Sequence, residues 1–92
     1  MIRSFRHRGL REFFDSGSRR GISPELAARI ARRLDVLEAA QHVTDIDAHG
    51  FNLHRLKGDR QGDWAISVSG NWRITFRFAN GEADDVNLED YH

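Results

Sequence analysis

In the second half of this 92-residue chain, His54, His92, several cations, the phenol of Tyr91 and the carboxylate of Asp90 come in an order that suits phosphodiester chemistry. His54 and Lys57 come first, Arg73 and Arg77 follow on one alternating stretch, and Asp90, Tyr91 and His92 end the sequence. Cutting RNA without a metal needs three things. A base takes the 2′-hydroxyl proton, cations stabilise the charge building on the phosphoryl oxygens, and an acid protonates the leaving 5′-oxygen. Histidine serves either proton-transfer role, because its reference pKa of about 6.5 lies near neutrality. Arg meets a phosphate through a planar fork of donors, and Lys as a point charge. Tyr stacks on a base or donates a proton. The residue types are all present, so the question passes to whether the fold makes them converge.

Each of these residues also has a plainer reading. A single His on a strand is usually a surface residue, arginines on a solvent face keep a protein soluble, and chain ends commonly fray. His7, His42 and His49 follow no pattern and read as structural. No HxxxH, HxH or HExxH spacing occurs, so zinc is not expected. There is no GxSxG, no GxxxxGK and no cysteine, which removes a nucleophile elbow, a phosphate loop and thiolate chemistry. Neither cofactor nor metal is expected, and the lack of cysteine fits a reducing cytoplasm.

The elements that must position these groups change period midway. Residues 2–6 read as a short first strand. Residues 7–16 read as a helix with Leu10, Phe13 and Phe14 on one face, stopped near Gly17. Ser23-Pro24 suits a helix start, and Leu26, Ile30, Leu34 and Leu37 then form an apolar stripe to about Ala40. The acidic segment 41–50 breaks at Gly50. From Phe51 the period becomes two, giving strands over 51–56, 64–69, 72–78 and 82–88. Asn80-Gly81 is a strong hairpin signal. Trp72, Ile74, Phe76 and Phe78 share an apolar face that two helices can cover. Ser67, Arg73, Thr75 and Arg77 are left on an exposed polar face, with His54 and Lys57 on or just after the first meander strand. The expected fold class is α+β, two N-terminal helices packed on one face of an antiparallel sheet, in the order β-α-α-β-β-β(-β).

Length allows one domain, residues 1–92. Apolar residues make up 39% and charged residues 30%, the composition of a folded soluble protein. No run reaches the ~18 apolar residues of a membrane span, and no signal-peptide core follows the basic start. The net charge is zero, but it is segregated: the segments 1–33, 34–50, 51–77 and 78–92 carry +6, −4, +3 and −5. Such blocks can build one basic surface of the kind a nucleic-acid binder needs, or can mix on the folded surface.

The run Leu53-His54-Arg55-Leu56-Lys57-Gly58-Asp59-Arg60, then Trp64-Ala65-Ile66-Ser67-Val68, then Asn71-Trp72-Arg73-Ile74-Thr75-Phe76, ending Glu89-Asp90-Tyr91-His92, resembles the HigB group of the RelE/ParE toxin superfamily. The opening Ile2-Arg3-Ser4-Phe5-Arg6-His7-Arg8-Gly9-Leu10 resembles it as well, so the likeness spans nearly the whole chain. The resemblance implies a ribosome-dependent messenger-RNA endonuclease that uses the 2′-hydroxyl as nucleophile and no metal. It places the active-site positions on His54, Lys57, Arg73, Asp90, Tyr91 and His92, with either histidine as acid or base. Arg55, Arg60 and Arg77 are read as further RNA contacts.

The resemblance also implies a cognate helix-turn-helix, HigA-like antitoxin, with operator DNA reached only through it, and work on the 70S ribosome and its mRNA. Arg3, Arg6, Arg8, Arg11, Arg19 and Arg20 are candidates for contact with ribosomal RNA or an acidic antitoxin surface. Two other functions share the fold. One is a ParE-like gyrase inhibitor, against which the combination of His54, Lys57, Arg73, Tyr91 and His92 counts. The other is a catalytically silent module that binds the antitoxin as co-repressor.

Overall fold

A computed structural model of the chain describes residues 1–91. The order is α1 (Arg8–Ser16), α2 (Ala27–Ala39), α3 (Val43–Asp47), β1 (His54–Arg55), a 3-10 turn (Gly58–Arg60), β2 (Trp64–Ser69), β3 (Trp72–Ala79) and β4 (Glu82–Asp90). The four strands form one antiparallel sheet in the order β1-β2-β3-β4. This is the expected α+β architecture, with α3 added. Residues 2–6 touch β4 in parallel only at two isolated bridges, Ile2 with Ala83 and Phe5 with Val86. No helix among the described residues is long and apolar enough to cross a membrane.

The helices form where the apolar period is 3.6. Leu10 from α1 and Ile30, Leu34 and Leu37 from α2 are almost wholly buried, and they meet Ile66, Ile74, Phe76 and Val86 from the sheet. Burying a Leu or Ile side chain contributes about 1.5–3 kcal/mol, so this seam holds the helices on the sheet. His7 caps α1, its Nδ1 accepting the Leu10 amide at 3.1 Å. Gly17 ends the helix in the left-handed conformation, φ 79°, as its position predicts.

Ser23-Pro24 does not open α2 directly. Residues 24–26 make a tight turn first, with the Leu26 amide on the Ser23 carbonyl at 3.0 Å, and the helix begins at Ala27. A proline-led turn that closes by i to i+3 bonds satisfies the first amides without a side-chain cap. Segment 41–50 is not plain loop. Asp45 accepts the Gln41 and His42 amides, both at 3.0 Å, and these bonds start the single turn and a half of α3.

Two expectations about faces change. Trp72, placed on the apolar face, lies at the end of the sheet opposite Asp90 and stays 37% exposed. Thr75, placed on the open polar face, is 2% exposed. The segment after β1 folds back over it, with Leu56 buried and Arg60 reaching the Thr75 hydroxyl at 3.5 Å. The polar face is therefore partly roofed.

Candidate active site

The strand register arranges the polar face in rows. His54 pairs with Ala65, Ala65 with Thr75, and Thr75 with Asn87. Two residues along, Ser67 pairs with Arg73 and Arg73 with Glu89. Alternation puts both rows on one face of the sheet. A bulge sets the second row. Pairing between β3 and β4 shifts by one residue between Thr75 and Arg77, where Asp85 takes a positive φ of 54°. Without that extra residue Arg73 would face Leu88, and the polar row would be broken. The N-terminal segment braces the bulge, since the Ser4 hydroxyl accepts the Asp85 amide at 2.8 Å.

Around Arg73 the geometry is dense. Its guanidinium contacts one Glu89 oxygen through Nε at 2.7 Å and through Nη2 at 2.6 Å. Arg60 holds the same carboxylate, at 2.8 and 3.1 Å to its two oxygens. Burial acts to raise the Glu89 pKa, but hydrogen bonds and charge from Arg60 and Arg73 win, and it lies below the ordinary carboxylate value. The hydrogen bond from Glu89 correspondingly raises Arg60, against the opposing effect of burial. Asp63 continues the network, 3.6 Å from Arg60 and 3.0 Å from Arg77. On its other side the Arg73 guanidinium lies 3.9 Å from the centre of the Tyr91 ring, a cation–π contact. Tyr91 is itself anchored, its amide donating to the Asn71 carbonyl at 3.0 Å.

His54 is oriented from below. Its Nδ1 lies 2.8 Å from the Asn52 carbonyl, and Asn52 adopts a positive φ of 58°. A carbonyl oxygen only accepts, so this bond puts the proton of the neutral ring on Nδ1. Nε2 is then the basic nitrogen. Lys57 is exposed just before the 3-10 turn, and no ion pair reaches it among the described residues.

The other candidates fall elsewhere. Asp90 pairs with Trp72, so the pleat puts it on the face opposite Glu89 and Arg73. Arg55 alternates away from His54, and its guanidinium sits 4.7 Å over the Trp64 ring, beside a groove bounded by Glu38, Val43 and Phe78. Arg60 and Arg77 do share the polar face, both engaged with carboxylates. His92 lies outside the described residues. Among the N-terminal arginines, Arg3 meets Glu82 and Asp84, Arg6 meets Asp85, and Arg8 meets Glu12. Arg11, Arg19 and Arg20 are exposed. Arg3 and Arg6 of the basic first segment thus pair with acids of the last one within the molecule. Among the described residues no group of three or more His, Asp or Glu is placed to hold a metal ion.

Glu89 and Asp63 are the residues that sequence reading missed. Reading 89–92 as a tail hid Glu89, although the alternation Asn87, Glu89 continues the polar side of β4.

Comparison with known proteins bears on what this face does. The sequence model of the family described as RelE-like toxin of type II toxin-antitoxin system HigB matches residues 3–92. The chain is 45% identical over 92 residues to the Endoribonuclease HigB of Proteus vulgaris, covering all of both proteins. It is 26% identical over 91 residues to Toxin HigB-1 of Vibrio cholerae, covering 97% of this chain and 96% of that protein. This chain belongs to the HigB-like family of RelE-like toxins of type II toxin–antitoxin systems.

Proposed function

We propose that the protein is an endoribonuclease that cuts messenger RNA on the 70S ribosome, in the cytoplasm, and is neutralised by a HigA-like antitoxin. The family membership and the relative named an endoribonuclease support this reading. The observation that carries it is the register, which sets His54 and Arg73 in adjoining rows of one face. Their strands are two spacings apart, about 10 Å.

On this reading Nε2 of His54 takes the 2′-hydroxyl proton, and the oxygen attacks the adjacent phosphorus. Arg73 and Lys57 stabilise the charge on the phosphoryl oxygens, without a metal. His92 is the acid for the leaving 5′-oxygen. The Tyr91 ring, 46% exposed and backed by Arg73, is a platform for a base. Glu89 and Arg60 keep Arg73 extended along the strand, so it meets the phosphate already oriented. Asp90 belongs to this end of the sheet and acts on the terminal residues rather than on Arg73.

The test is purified protein added to ribosomes programmed with a defined message, with 5′ ends mapped by primer extension. Cuts within the decoding-site codon that require ribosomes are expected. A message left intact while ribosomes are bound to it would overturn the proposal.

A further inference from the structure

A second cationic surface lies on α2, away from the Arg73 network. Arg29, Arg32 and Arg33 are neighbours on the helix, and with His49, Gly50 and Phe51 they line one shallow groove. The Arg33 and Arg32 guanidinium groups lie 4.3 and 5.9 Å from the centre of the Phe51 ring, and His49 stacks on that ring at 5.7 Å and 19°. Phe51 is buried, whereas Arg29, Arg32 and His49 are exposed.

None of the three arginines forms an ion pair among the described residues, although Asp35 and Asp45 line the adjoining groove beside Arg32. Burial, and then the charges of Arg29 and Arg32, push Arg33 below its usual pKa. Arg3, Arg6 and Arg8 each meet a carboxylate, whereas these three arginines line one groove without one among the described residues.

Hydrogen bonds tie the cluster to the polar face. Arg33 Nε donates to the Ser67 carbonyl at 2.7 Å, and the Ser67 hydroxyl accepts from Asn52 at 3.4 Å. The Asn52 carbonyl in turn holds His54. The path turns around the β1 edge of the sheet, so a chain lying on the His54 face reaches the arginines by continuing past that edge.

We infer that Arg29, Arg32 and Arg33 with His49 form a second, sequence-independent RNA site that holds backbone phosphates next to the cleavage face. The inference rests on the reading of the His54 face as the place of cleavage. Planar guanidinium groups suit phosphate oxygens, and an exposed imidazole suits a base or ribose. An acidic protein is the competing occupant; the hydrogen-bonded path from Arg33 through Ser67 and Asn52 to His54 favours RNA.

The experiment measures binding of a fully 2′-O-methylated single-stranded RNA, which cannot be cut, as a function of salt. The full-length protein is compared with R29Q/R32Q, R29K/R32K and Q41E/T44E. Each single-strand phosphate contact contributes about 0.7 to the slope of log K against log salt. R29Q/R32Q is expected to bind about tenfold more weakly, with a slope smaller by about 1.4. R29K/R32K should keep most of both. Q41E/T44E makes the same change of net charge near the other end of α2 and should keep the wild-type slope.

A wild-type slope in a folded R29Q/R32Q protein overturns the inference. So does an equal drop in Q41E/T44E, which would reduce the effect to net charge. Unchanged RNA binding with loss of the antitoxin would make this a protein interface and also overturn it. If the wild type fails to cut ribosome-bound message while R29Q/R32Q still loses slope, the cleavage reading fails and the RNA site stands.

Discussion

Arginine–carboxylate pairs occur in two places in this molecule, and they differ in what surrounds them. On the sheet, Arg73 and Glu89 are 12% and 22% exposed; Glu89 also holds Arg60, which reaches Asp63, and Arg73 backs the Tyr91 ring. At the N-terminal segment, Arg3, Arg6 and Arg8 are 62%, 59% and 83% exposed. Exposed pairs contribute roughly 0–1 kcal/mol, because water screens them and two long side chains must be held still. A half-buried network orients its members much more firmly, since its alternative is an unpaired charge out of water. The same residue types therefore tie two chain segments together in one region and aim a guanidinium in the other.

The largest expected effect tests the aimed side. Arg73→Gln removes the guanidinium proposed to meet the phosphate and the backing of Tyr91, so single-turnover cleavage on ribosomes should fall by about 10²–10³-fold. A loss below about threefold would mean that the network is structural only. Arg73→Lys should recover little, because Lys has neither the fork nor the planar stack.

Glu89→Gln comes next. Unfolding in urea should show a loss of about 1–3 kcal/mol at neutral pH, with Arg73 left without its carboxylate in a partly buried site and Arg60 keeping only Asp63. The pH dependence follows from the depressed Glu89 pKa. Its contribution is fully present above the unfolded carboxyl value of about 4.3 and is lost as pH falls through the lower folded value. Wild-type stability should decline across that acid window, and Glu89→Gln should decline less. Equal acid slopes would separate Glu89 from the network.

The smallest effect belongs to the surface pairs. Arg3→Gln with Arg6→Gln should change stability by less than about 1 kcal/mol, and 1 M salt should erase most of the difference. A loss of several kcal/mol would show that these pairs hold the N-terminal segment against β4, and the contrast between the regions would collapse.

How much was legible follows the same contrast. The Leu26–Leu37 stripe announced α2, and Asn80-Gly81 announced the hairpin, where both residues do take positive φ. Local signals sufficed there. Thr75 looked exposed because alternation says nothing about a distant loop, and Arg60 with Leu56 covers it. The facing of Glu89 on Arg73 depends on one bulge at Asp85. Its trace in the sequence is the spacing of three between the buried Ala83 and Val86, where strict alternation allows two or four. His54 was readable as a residue type, but its tautomer was not, since that comes from the carbonyl of Asn52 in a left-handed conformation.

Whether His54 and His92 carry the proton transfers is decided by single-turnover cleavage of ribosome-bound message with wild type, His54→Ala and His92→Ala. Removing a proton-transfer group should cost about 10²–10⁴-fold, with ribosome binding retained. Rates unchanged in both variants would overturn the assignment of the proton transfers to these two histidines.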